Sequence, residues 1–188
     1  IIHGGPFANI AQGTNTILAT KMGLSLADYV VTEAGFGADL GAEKFMNIKC
    51  GYAGINPDCI MIVATVRALK YHGGVDVKEV KNENIEALKK GFVNLEKHIE
   101  NMRGFGITPV VVINKFYADT EAEVNTLIGL VEAKGVSIAV GAGFEKGGEG
   151  MKEIAEKVVN AIANNPTNFT PTYDWNDTVE NKLKAIAQ

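Results

Sequence analysis

Four short apolar runs, alternating with stretches of helical periodicity, restrict this chain to few architectures. Leu26–Thr32, Cys59–Thr65, Pro109–Ile113 and Val136–Val140 are rich in β-branched residues and bounded by Gly, Pro, Asn or Asp. They are nearly continuous rather than alternating, which suits strands covered on both faces of a parallel sheet. Between them, Asn84–Arg103 carries Ile85, Leu88, Phe92, Leu95, Ile99 and Met102 at steps of three and four, one apolar stripe of a helix, stopped by Gly104 and Gly106. A second helix opens at Asp119-Thr120, where Thr120-x-x-Glu123 has the form of a capping box, and stripes Val124, Leu127, Ile128 and Val131. A third spans about Met151 to Ala163. Strands alternating with such helices predict an α/β, mostly parallel, doubly wound sheet.

The polar, proline-containing stretch Asn164–Asp177 marks a boundary. The expected division is an α/β portion over 1–165, and a linker with a helix (Thr178–Ala187) over 166–188. The chain starts Ile1-Ile-His-Gly-Gly-Pro-Phe, without a basic leader or an initiating Met, and reads as the interior of a longer gene. Apolar residues make up 46% and charged residues 21%, as in ordinary packed proteins. A net charge of -4 with no Lys/Arg run longer than two argues against nucleic-acid or anionic-membrane binding. No stretch reaches the ~18 apolar residues of a membrane span. Cys50 and Cys59 lie in unrelated contexts and read as packed thiols of a reduced, cytoplasmic protein.

Three glycine-rich or aromatic loops follow predicted strands, where ligands of open α/β sheets bind. In the first, Glu33-Ala-Gly-Phe-Gly-Ala-Asp-Leu-Gly41, Gly35, Gly37 and Gly41 allow close backbone approach. A helix starting near Gly41 would offer free N–H groups to a phosphate or carboxylate, with Lys44 as an added cation. The spacing is not the G-x-G-x-x-G of dinucleotide sites, and glycines that merely shape a turn explain the pattern as well. The second loop, Asn114-Lys-Phe-Tyr-Ala-Asp119, is like a guanine-reading Asn-Lys-x-Asp, but Tyr117 replaces the required Asp. The third, Gly141-Ala-Gly-Phe-Glu-Lys-Gly-Gly-Glu-Gly150, carries Phe144, a stacking platform for a flat heterocycle or a ring packed on its own helix. With Phe116 on a parallel loop, two aromatic faces could clamp a planar ring. His98 is expected on the solvated side of its helix. His3, His72 and His98 share no metal-ligand spacing, so no metal-binding residue is assigned. A phosphate-cradling G-x-x-x-x-G-K-[ST] is absent from these residues.

Several stretches together resemble one family. They are His3-Gly-Gly-Pro-Phe-Ala-Asn9, Ala27–Phe45, Val63–Lys70 with His72-Gly-Gly74, Asn94–Asn101, Val112-Ile-Asn114, Asp119–Glu123 and Lys146-Gly-Gly-Glu-Gly150. In these the chain resembles formate–tetrahydrofolate ligase along essentially its whole length. The resemblance implies a sheet of P-loop NTPase type, incomplete here. It also implies ATP-dependent joining of formate to tetrahydrofolate through formyl phosphate, with Mg2+ and a monovalent cation (K+ or NH4+), in a cytoplasmic homo-oligomer, usually a tetramer. By the same resemblance Phe116 and Phe144, with Phe36, are folate-binding. Glu33, Gly35, Gly37, Ala38, Asp39, Leu40, Gly41 and Asn114 belong to the formyl-phosphate/ATP pocket. Position 144 is usually Trp in the family, and Gln12-Gly-Thr14 stands where many members have His-Gly-Cys. The family's phosphate loop, with its catalytic Lys and Arg, is expected upstream, so the isolated chain is expected to be inactive. A non-catalytic nucleotide- or folate-binding relative, or a dinucleotide-dependent dehydrogenase fragment, remains the alternative.

Overall fold

A computed structural model describes residues 14–187; His3 and the rest of 1–13, including Gln12 and Gly13, lie outside the described residues. In chain order the helices are α1 (Ile17–Leu26), α2 (Gly51–Ala53), α3 (Val66–His72), α4 (Ile85–Gly104), α5 (Glu121–Glu132), α6 (Gly143–Lys146), α7 (Lys152–Asn164) and α8 (Val179–Ala187). The strands are β1 (Met61–Ala64), β2 (Val110–Asn114) and β3 (Ser137–Gly141). The described residues divide into two units, one within residues 14–57 and 169–187, the other of residues 58–168.

In the second unit the three strands form a parallel sheet in the order β1-β2-β3. Three of the four expected strands are therefore present. Central β2 is buried along Val110–Ile113, as its unbroken apolar run requires, whereas edge strand β1 alternates, with Ile62 and Ala64 buried and Met61 and Val63 exposed. Because side chains alternate between faces, Ile62, Ala64, Val111, Ile113 and Ile138 share one face, and Val112 and Ala139 the other. Ile154 of α7 packs against Val112 and Ala139, with Val158 beside them. The sheet is thus an α/β arrangement of three parallel strands, smaller than the doubly wound sheet that the periodicity suggested.

The long helix buries its expected stripe: Leu88, Phe92, Leu95, Ile99 and Met102 are all within the core. Asn84 caps its start by accepting from the Ala87 N–H at 2.9 Å. Helix α3 lies close against α4 because position 91 is glycine; a Cβ there would run into the Leu69 carbonyl. The Thr120–Glu123 capping box of α5 forms as predicted. His98 departs from expectation. The residue is half-buried, and its Nδ1 is buried without a hydrogen-bond partner.

In the first unit the expected strand over 26–32 is not formed. Leu26 is the last residue of α1, and residues 27–34 pair with no strand among the described residues. A strand exists through its ladder, and Tyr29 and Val31 are exposed instead. Beyond it the backbone winds into two wide, π-type stretches, Ala38–Ala42 and Lys44–Cys50, which run into α2. Phe45, Met46, Cys50 and Ala53 form the buried side. Asn47, fully buried, acts like a strand edge for residue 172: its Nδ2 donates to Thr172 Oγ1 (3.2 Å) and its Oδ1 accepts from Thr172 N (2.8 Å). The Trp175 indole donates to the Asn47 carbonyl at 2.9 Å.

Candidate functional site

Within the sheet unit, the candidate residues sit at the carboxyl ends of adjacent strands. Asn114 closes β2 and is level with Gly141, which closes β3. Phe116 follows two residues after Asn114, and Phe144 three after Gly141, so neighbouring strands about 4.8 Å apart carry the two rings outward on their loops.

The Phe116 loop is locked by Asp119. Its Oδ2 accepts from the Phe116 N–H at 2.8 Å, and its own N–H donates to the Phe116 carbonyl at 3.0 Å. Both bonds close a tight turn that Asp favours. Asp119 Oδ1 is buried with no partner, and burial pushes this carboxyl up, against the hydrogen bond from Phe116 and the charges of Lys70 and Arg67, which pull it down. The Arg67 guanidinium lies over the Phe116 ring, 5.0 Å from its centroid. Together they border an open hollow of about 280 Å³ formed with Thr65, Tyr71, Val77 and Val80.

Behind that turn lies a buried ion pair. Lys70 of α3 and Glu123 of α5 meet at 2.7 Å with both side chains 0% exposed. Glu123 also accepts from the Asn84 N–H (2.9 Å) and the Thr120 N–H (3.2 Å), and Lys70 donates to the Asn82 carbonyl (2.9 Å). Burial pushes the Glu123 carboxyl up, but the bonds from Lys70, Asn84 and Thr120 outweigh it and hold the group below its ordinary value.

Phe144 is fully exposed on the short helix α6, in a segment closed by the Ala142 N–H bonding the Gly150 carbonyl at 3.1 Å. A large ring in water on a tied-down segment stabilises nothing within the chain, which leaves it available to a ligand.

The glycine loop belongs to the other unit. Gly41 is buried, and a Cβ there would collide with the Gly35 carbonyl, so the loop folds onto itself only with glycine at 41. Phe36 holds φ 65, a left-handed conformation rare for non-glycine residues, with its ring exposed; such strain of about 1–3 kcal/mol concentrates at functional sites. Glu33, Gly37, Asp39 and Leu40 are exposed and Ala38 is half-buried. The expected free N–H groups near Gly41 are in use: those of Leu40 and Gly41 both bond the Gly37 carbonyl. Because no strand precedes the loop, a sheet edge does not position it.

Buried Lys49 anchors the start of this loop. Its ammonium donates to Thr14 Oγ1 (3.3 Å) and the Asn15 carbonyl (2.9 Å), and Thr32 bonds the same Thr14–Asn15 pair. Burial lowers its pKa. Burial also raises the Cys50 thiol to about 11 and pushes Cys59 up, so neither is a reactive thiolate.

Sequence reasoning passed over Arg67, Lys70 and Lys49, whose neighbours in space lie on other elements, and took Asp119 and Glu123 only as helix-start signals. Among the described residues no group of three or more His, Cys, Asp or Glu could hold a metal ion. The family model for formate–tetrahydrofolate ligase matches residues 1–188, a span that includes every candidate residue above.

Proposed function

The chain belongs to the formate–tetrahydrofolate ligase family, and we propose that it carries the folate-stacking part of an enzyme that joins formate to tetrahydrofolate with ATP. The match over all 188 residues carries this reading. Phe116 and Phe144 would hold the flat pterin ring between them, Phe116 fixed by Asp119 and Arg67, Phe144 free to meet the ligand. Phe36 would add a folate contact, and Glu33, Gly35, Gly37, Ala38, Asp39, Leu40 and Gly41 in one unit, and Asn114 in the other, would be the residues given to formyl phosphate and ATP. The sheet would be part of one of P-loop NTPase type, in a cytoplasmic homo-oligomer.

Chemically, formate and the ATP γ-phosphoryl are both anions, and joining them needs dense positive charge. The 188 residues contain no G-x-x-x-x-G-K-[ST] loop to supply it. No residue here is assigned to Mg2+ or to a monovalent cation. What these residues contribute is placement: an oriented folate amine facing an activated formyl carbon turns an encounter into a near-unimolecular step. The chain alone is therefore expected to bind tetrahydrofolate without forming 10-formyltetrahydrofolate.

Calorimetric titration with tetrahydrofolate tests the reading. Removing a stacking ring costs about 1.5–3 kcal/mol of buried apolar contact, or roughly ten- to a hundredfold in affinity. Phe116→Ala and Phe144→Ala should each show that loss. No binding by the wild type, or binding by both variants as tight as that of the wild type, refutes the folate reading; turnover with ATP and formate refutes the expected inactivity.

A further inference from the structure

Arg67 is placed for more than packing. It follows β1 by three residues, in the first turn of α3, and brings a full positive charge to a hollow whose other walls are mainly apolar: Ala68, Val77, Val80 and the rings of Tyr71 and Phe116. Its guanidinium covers part of the Phe116 ring. Among the described residues, no hydrogen bond or ion pair engages its N–H groups. A guanidinium has five donors in a planar fork, and stacking on a ring uses none of them. The nearby carboxylate, Asp119, is committed elsewhere: Oδ2 holds the Phe116 N–H and Oδ1 is buried. Its charge steadies Arg67 without consuming its donors.

Resting on the folate reading above, we propose that Arg67 orients the ligand. It stacks on Phe116 and donates its free N–H groups to a planar oxygen acceptor of the molecule that Phe116 holds. The apolar hollow selects a flat, weakly polar body; one unspent fork beside it selects a carboxylate or a conjugated carbonyl, the acceptors that match its geometry. A folate offers both, a carbonyl on the pterin ring and carboxylates on the glutamate tail. A lysine at 67 would keep the charge but lose both the stacking plane and the fork.

The test is calorimetric titration of the chain with tetrahydrofolate and with tetrahydropteroate, which lacks the glutamate. Wild type, Arg67→Lys, Arg67→Met and Phe116→Ala are compared, with thermal melts confirming that each is folded. Arg67→Met is expected to weaken tetrahydrofolate about ten- to a hundredfold, the loss typical of a charge-assisted hydrogen bond, with Arg67→Lys restoring only part of it. If the penalty disappears with tetrahydropteroate, the acceptor is the tail; if it persists, the acceptor is the ring. Both outcomes support the proposal. If both Arg67 variants bind both ligands within about twofold of wild type while Phe116→Ala binds poorly, Arg67 is only a packing residue and the proposal falls, with the folate reading intact. If the wild type binds neither ligand, both fall together.

Discussion

Replacing Glu123 with alanine should damage this protein more than any surface change. The carboxylate is fully buried and holds three donors at once: Lys70 Nζ, the Asn84 N–H at the start of α4 and the Thr120 N–H at the start of α5. Alanine leaves the Lys70 ammonium dry and unpaired, which typically costs about 3–5 kcal/mol. It also strips two backbone N–H groups of their acceptor, at about 1–3 kcal/mol each if water does not enter. Some water entry brings the sum to roughly 4–6 kcal/mol, a large part of the ~5–15 kcal/mol that holds a domain folded. Exchanging both partners for apolar residues, Lys70→Met with Glu123→Leu, removes the orphaned charge but not the orphaned backbone groups. The double variant should therefore lose only about 2–4 kcal/mol, less than the two single losses summed, with a coupling of at least ~2 kcal/mol. Urea unfolding followed by far-UV circular dichroism measures it. The fluorescence of Trp175, the single tryptophan, belongs to the other unit and serves as an internal control. A Glu123→Ala loss below ~1 kcal/mol, or strict additivity in the cycle, would show that the pair is solvated and the reasoning wrong.

Two further outcomes are expected. Because the folded-state Glu123 carboxyl is held below its ordinary value of 4.5, its contribution is complete above that pH and is lost as the pH falls through the lower folded value; acid unfolding of Glu123→Gln should show a shallower slope there, and an unchanged slope counts against the assignment. Phe36→Gly relieves a left-handed conformation at the cost of backbone entropy, so stability should hold or rise by about 1 kcal/mol while tetrahydrofolate affinity drops; a clear fall in melting temperature would mean that the strain is not real.

The sheet was legible because local pattern and tertiary burial agree in it. The runs Cys59–Thr65, Pro109–Ile113 and Val136–Val140 are rich in β-branched residues, and the structure forms a strand in each (61–64, 110–114 and 137–141) and pairs all three in parallel. The capping box at Thr120 and the α4 stripe were legible for the same reason, since both are written within a few residues of sequence. Residues 26–32 read equally well as a strand, yet propensity cannot supply a partner, and none is present among the described residues. The wide helical turns over 38–50 have no periodicity signature that sequence reasoning could have used. Of the candidate site, the aromatic and glycine positions were visible in the sequence. Arg67 and Lys70 were not, because their roles depend on groups 49 and 53 residues further along the chain.

Three positions within five residues perform three tasks in succession. Asp119 locks the Phe116 turn, Thr120 caps α5, and Glu123 closes the capping box while pairing with Lys70 of α3. The helix that carries Lys70 also carries Arg67, one turn earlier, over the Phe116 ring. Phe116 is therefore gripped from two elements that a buried ion pair holds to each other. Its backbone is fixed from the α5 side and its ring is covered from the α3 side. Loosening the pair should shift Arg67 and the ring apart before it unfolds the sheet, so a mild substitution such as Glu123→Gln should weaken ligand stacking out of proportion to its effect on stability. Buried ion pairs are weak contributors to stability when apolar packing could replace them. Here the pair also sets the geometry between two loops, which apolar side chains, having no directional bonds, would hold less tightly.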